Sequence, residues 1–244
     1  MFKDNDLGFM AHMVELRKRF VITLVFFVIT LTMTFFFVPQ IVTFIKATSS
    51  GLNIDLNIFN VTDSLYLYMR VASLVAFIVS VPFLTWQMWL FIKPGLEPKE
   101  KRFARRYFPV VILLFFAGVA FAYLVIIPYY VMFSTSLAKT NGLISVIGAR
   151  EYIDFIVKTV WPFGLAFELP MLIHILSAIG IVNSKLLKAV RGYAYVGLMI
   201  VSAFLTPPDP ISMGIMLIPL SFLYESSVMI AKGNEKRRWK RVNV

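Results

Sequence analysis

The sequence predicts an all-α integral membrane protein of six transmembrane helices, with both termini cytoplasmic. Three observations carry this. Hydrophobic residues make up 59% of the chain and charged residues only 15%, against about 45–50% and about 25% in soluble domains. The apolar residues gather into runs, and roughly 20 apolar residues in a helix cross a hydrocarbon core of about 30 Å. The basic residues are distributed unevenly between alternate loops.

The expected spans follow in order. Residues 20–38 carry no charge. Residues 67–92 form a second span, with its core from 71 and Pro82 inside it. Residues 107–133 form a third, long enough to tilt. Residues 153–177 form a fourth, containing Pro162, Glu168 and Pro170. Residues 193–205 and 212–231 complete the set as two short helices, the last interrupted by Pro219 and Glu225. Between them lies Thr206-Pro207-Pro208-Asp209-Pro210. Proline fixes φ and removes a backbone donor, so this run turns and does not continue a helix. The short fifth span either thins the bilayer or begins earlier, near Lys188, and the pattern leaves both open. Helices are required because an open strand edge in lipid leaves unpaired backbone groups. The outer segment 52–61 alternates in polarity and has no assigned conformation.

Orientation follows from Lys and Arg in the loops. Segments 1–19, 93–106, 178–192 and 232–244 hold 19 of the 24 basic residues, whereas 39–64, 134–150 and 206–211 hold three. The first set is therefore cytoplasmic, and 232–244 reads as a basic, frayed cytoplasmic tail. The net charge of +11 is explained by topology, so a nucleic-acid partner is not needed. The first 19 residues lack the pattern of a cleavable signal peptide. No internal repeat or separate soluble domain is evident, and the chain reads as a single membrane domain.

Catalytic chemistry finds little to work with. There is no cysteine, which excludes thiolate metal sites and cysteine nucleophiles. His12 and His174 are the two histidines and lie on different elements, so no metal or cofactor site is expected. No phosphate-binding loop or G-x-S-x-G elbow occurs. An intramembrane protease would need His174 as its base; a hydrogen-bonded structural histidine is the simpler reading.

Three carboxylates stand out. Glu15 shares a helical face with His12 and with Arg19, its i,i+4 partner. Glu100 follows Pro98, a residue suited to the first position of a helix. Its i+3 and i+4 neighbours are Phe103 and Ala104, so it has no local basic partner and can accept an external cation. Phe91 lies nearby at the membrane surface. Glu168 sits inside a span, where an ionisable residue is costly and marks a candidate site. It reads equally as a structural acid facing the bundle or as the proton site of a proton-coupled small-solute transporter. Pro170 can leave the carbonyl of residue 166 without its helix partner.

Five segments then carry a resemblance: HMVELRKR at 12–19, FIKPGLEPKEKR at 91–102, FAYLVIIP at 121–128, FGLAFELP at 163–170 and TPPDPIS at 206–212. In this order, with six spans and both ends inside, they resemble the TatC family, the multispanning receptors of the twin-arginine protein translocase. The resemblance implies a multi-pass protein of the bacterial cytoplasmic membrane, without enzymatic activity. It implies recognition of paired arginines in the signal peptides of folded cargo, and recruitment of single-span TatA-type subunits for export driven by the proton-motive force. It also implies homo-oligomers within a larger, lipid-embedded complex. Signal-peptide binding falls on Glu15, Arg17, Phe91 and Glu100, and partner contact on Glu168 and Asp209. One departure is Met213, where many members carry Gln after the acidic turn residue. Six acidic residues against 19 basic ones in the cytoplasmic segments imply short-range pairing and apolar contact instead of long-range attraction, which is screened beyond about 8 Å at physiological salt.

Overall fold

The computed structural model describes the backbone of residues 3–50, 56–93, 98–179, 182–205 and 210–242, and their side chains apart from 3–12, 49–50, 92, 98–106, 178–179, 212 and 236–242. Nearly all of it is helix. The order is α1 (Lys3–Ser50), β1 (Leu56–Asn57), α2 (Asp63–Ile92), α3 (Pro98–Phe121), a π-helical turn (Ala122–Ile126), α4 (Ile127–Thr140), β2 (Ile147–Gly148), α5 (Ala149–Ala166), α6 (Leu169–Ile179), α7 (Ser184–Ala189), α8 (Arg191–Leu205) and α9 (Pro210–Val242).

Among the described residues, five helical stretches are long and apolar enough to cross a membrane: Met13–Thr48, Asp63–Phe91, Tyr107–Thr140, Ala149–Ser177 and Met213–Glu235. The expected fifth span appears as α8, a shorter apolar helix of 15 residues. At about 1.5 Å per residue it reaches only ~22 Å. Large apolar side chains such as Phe36, Phe204 and Phe222 are exposed, as lipid-facing positions require.

The helices outrun the apolar segments that mark them. The last is not short: α9 is 33 residues long, and the expected frayed tail continues it to Val242. Lys, Arg and Glu are good helix formers, so the helix persists where hydropathy stops. This extension is also held. Asn234 donates to the His174 carbonyl at 3.1 Å and contacts its Nδ1 at 3.1 Å. The Glu235 carboxylate accepts from the Ser184 amide and hydroxyl at the start of α7, where an anion complements the helix N-terminus.

Hydroxyls inside the apolar helices are satisfied locally. Thr30, Thr34 and Thr43 each donate to the carbonyl four residues back, the usual outlet for Thr within a helix. Prolines 39, 82, 109, 162 and 219 sit within helices, as membrane helices tolerate.

The core lies where α1, α2 and α5 meet the π-turn and α9, around Val38, Val71, Ala122, Ile153, Phe163 and Met216. α1 and α2 pack antiparallel, with Phe26 stacked on Phe83 at 4.2 Å and Phe35 edge-on to Tyr68 at 6.0 Å. α3 and α5 cross at two glycines. A Cβ on Gly118 would sit 2.7 Å from the Phe163 carbonyl oxygen, and one on Gly164 would sit 2.7 Å from the Phe115 ring. Small residues let membrane helices approach this closely.

The two loops on the outer side of the sequence-derived topology meet in a short parallel pair, Leu56 with Ile147 and Asn57 with Gly148. Below it a polar cluster ties α2 to α5. The Tyr66 hydroxyl lies 2.8 Å from both Asp154 oxygens, and Arg70 Nε lies 2.8 Å from that hydroxyl and 3.1 Å from Asp154. Arg150 stacks over the Tyr66 ring at 4.2 Å and pairs with Asp63 at 3.4 Å. Arg70 is 42% exposed, so its Coulombic share is modest. The charge-assisted bond from the phenol is worth more, about 1.5–3 kcal/mol. Tyr66→Phe is expected to lower stability by about 1–2 kcal/mol, read as a lower thermal midpoint in detergent. An unchanged midpoint would remove this clamp from the account.

Candidate functional site

The end of the bundle that carries the basic loops holds the first group. Glu15, on α1, is half-buried, and Arg19 one turn on donates to its Oε1 from Nε at 3.1 Å and again from Nη2. The described side chains place no hydrogen bond on its Oε2. The remaining arm of Arg19 reaches across to α2, where Nη1 donates to Gln87 Oε1 at 3.3 Å. This contact and the Phe26–Phe83 stack fix the antiparallel register. One turn toward the helix ends, it brings Phe91 on α2 level with Glu15 on α1. Phe91 is half-buried there, and Arg17 points to the exposed side of α1.

Just below, toward the apolar part of the helices, α1 and α2 leave a groove of about 160 Å³. Phe20, Leu24 and Phe27 line one wall, and Phe77, Val81 and Leu84 the other. The Ser80 hydroxyl is buried in it without a hydrogen-bond partner. By helix register, Glu15 and Phe91 lie beyond the loop-side end of this apolar slot, an order that suits a chain bearing a cation followed by apolar residues.

Glu100 belongs to the first turn of α3, which begins at Pro98; its side chain lies outside the described residues. So do Pro94, Gly95, Asp209 and the His12 side chain. Gln87 escaped the sequence reading. It is an isolated polar residue within an apolar helix, four residues before Phe91 and on the same face, and that spacing was the available signal.

Glu168 forms a separate site. α5 stops at Ala166 and α6 begins at Leu169, with Phe167 and Glu168 as the turn between them. Pro170 accounts for the break, since it has no N–H to offer residue 166. The Glu168 carbonyl then starts α6 by accepting from Met171 at 3.1 Å and Leu172 at 2.9 Å. Glu168 Oε1 is buried without a hydrogen-bond partner. Its neighbour Phe167 lines an apolar cavity of about 640 Å³ shared with Phe121, Tyr129, Ile218, Pro219 and Phe222. Elsewhere, His174 is engaged by Asn234 and meets the Tyr107 ring edge-on at 5.0 Å, an arrangement that joins α6 to α9 and α3. Glu225 pairs with Arg191 at 2.7 Å and accepts from Tyr195 at 2.9 Å, fastening α9 to α8.

The family model of the Sec-independent protein translocase protein TatC matches residues 11–219. The chain belongs to the TatC family. It is 35% identical over 238 residues to the Sec-independent protein translocase protein TatCy of Bacillus subtilis (strain 168), covering 98% of this chain and 94% of that one. It is 36% identical to the TatC protein of Halalkalibacterium halodurans, covering 93% and 90%. A crystal structure of the twin-arginine translocase receptor TatC superposes with a TM-score of 0.84 at 30% identity, covering 92% of this chain and 99% of that one. As a TatC-family protein with several membrane-length apolar helices, the chain is a multi-pass membrane component of a protein translocase.

Proposed function

We propose that this chain is the signal-peptide receptor of Sec-independent export in a bacterial cytoplasmic membrane. It binds the paired arginines of folded cargo through Glu15 and Glu100, beside Arg17 in the N-terminal recognition segment. Phe91 and the α1–α2 groove take the apolar stretch that follows. Guanidinium groups favour carboxylates because two parallel hydrogen bonds match the planar fork. The reading rests above all on a half-buried carboxylate, Glu15, that the α1–α2 register sets level with Phe91, beyond the loop-side end of an apolar groove, on an otherwise basic face. Membership of the TatC family supports it.

In this reading the chain crosses the membrane six times with both ends inside. The spans are α1, α2, α3 to α4, α5 to α6, α8 and α9. The Lys and Arg asymmetry supports that orientation. Glu168 and Asp209 contact single-span TatA-type partners, further copies of the chain join the complex, and the proton-motive force drives transport. No covalent step is involved.

The test is photocrosslinking. Reactive residues placed beside Glu15 and Glu100 should label strongly with an Arg-Arg signal peptide and weakly with its Lys-Lys counterpart. Labelling indifferent to the arginines would overturn the reading.

A further inference from the structure

The Glu15 carboxylate already carries a guanidinium. Two donors of Arg19 converge on Oε1, and the third arm is held by Gln87 on the neighbouring helix. We infer that Arg19 is a resident stand-in for a signal arginine, displaced when the peptide binds, and that Gln87 receives it. This rests on the receptor reading above and adds two positioning residues to it.

Three features carry the inference. First, the pair is weak enough to exchange: it is an i,i+4 contact with side chains 21% and 34% exposed, the class of ion pair whose net contribution is small. Second, among the described residues Arg19 loads one oxygen only, so an incoming guanidinium can engage Oε2 before Arg19 leaves. Glu15 is never stripped of all partners during the exchange, which avoids leaving a half-buried carboxylate unpaired. Third, Gln87 Oε1 already accepts from Nη1, so the departing cation swings to an acceptor that is in place. A Gln in an apolar helix then has a reason to be there: it serves Arg19, not the peptide.

The test is binding of a fluorescent Arg-Arg signal peptide and its Lys-Lys counterpart to the full chain in nanodiscs. Arg19→Gln should tighten both by the same factor, about two- to fivefold for a pair of this class. Arg19→Lys, which keeps the charge and gives up the fork, should fall between. Gln87→Leu should weaken binding in the parent chain and change nothing in the Arg19→Gln background. Weaker binding by Arg19→Gln would make Arg19 a support for Glu15 and overturn the inference. An equal loss from Gln87→Leu in both backgrounds would put Gln87 on the peptide, with the same consequence. A parent chain that does not distinguish the two peptides would instead overturn the receptor reading itself.

Discussion

Replacing Glu100 by Ala or by Lys is expected to abolish export of twin-arginine cargo while the protein still inserts in the membrane. Glu100 is the third residue of α3, whose first turn favours a carboxylate. Its i+3 and i+4 positions are Phe103 and Ala104, so no helical neighbour competes for it. Once the peptide has buried the pair, truncating one partner of such a hydrogen-bonded charge pair costs about 2–5 kcal/mol, a loss of roughly 30-fold to a few thousand-fold in affinity. Lysine goes further, because it adds a seventh basic residue to the six already in 93–106. Insertion depends on apolar runs and on the Lys and Arg asymmetry, which neither change disturbs. The measurement is export of a twin-arginine reporter, with immunoblotting of the membrane fraction. Unchanged export in both variants would remove Glu100 from the recognition site.

The second large effect is structural. Gly118→Val and Gly164→Val should each prevent stable folding. At Gly118 even a methyl would meet the Phe163 carbonyl oxygen at 2.7 Å and Phe167 Cβ at 2.8 Å, and backbone has no other rotamer to adopt. At Gly164 it would meet the fully buried Phe115 ring at 2.7 Å and Val119 at 3.2 Å. Overpacking a tight core costs about 1–3 kcal/mol and at times more, and these contacts belong at the upper end. Glu168 lies one turn beyond Gly164, so pushing α5 from α3 also disturbs the break that positions it. Gly197→Val is the control, since nothing lies within 4 Å of its added Cβ. Yield and thermal midpoint in detergent decide the matter: equal values for all three variants would sink the close-crossing argument.

Both effects indicate how much could be read in advance. Helical class and the apolar runs were legible, because lipid imposes a hydropathy rule that acts residue by residue. The Glu15–Arg19 pair followed from i,i+4 spacing; Pro170 marked residue 166 as losing its helix partner, but 153–177 was expected as one span and the break at Phe167–Glu168 was not. Helix ends were not legible, since a charged residue such as Glu235 belongs as readily to a helix as to a loose tail until its partner Ser184 is known. The link from Tyr66 to Asp154 joins residues 88 apart, and no local pattern announces such a pair. Gln87 was missed for the same reason: its meaning lies in Arg19 on another helix. The glycines at 118 and 164 looked like ordinary small residues in apolar runs, and only the crossing gives them a task.

The π-helical turn at Ala122–Ile126 has a consequence for how this chain tolerates insertion and deletion. An α-helix turns about 100° with each residue. The looser turn absorbs roughly one extra residue, and so resets the phase of everything after it. Phe115 is buried before it and Ala122 at its first residue, and Ile127 and Val131 are buried after it. In an uninterrupted helix these two pairs would point in different directions. A one-residue deletion within the turn would let it close into ordinary α-helix with Val131 still facing the core, whereas a one-residue insertion there would turn Val131 about 100° further, toward lipid. Over this stretch the chain therefore accommodates the loss of one residue better than the gain of one, whichever apolar residues compose it.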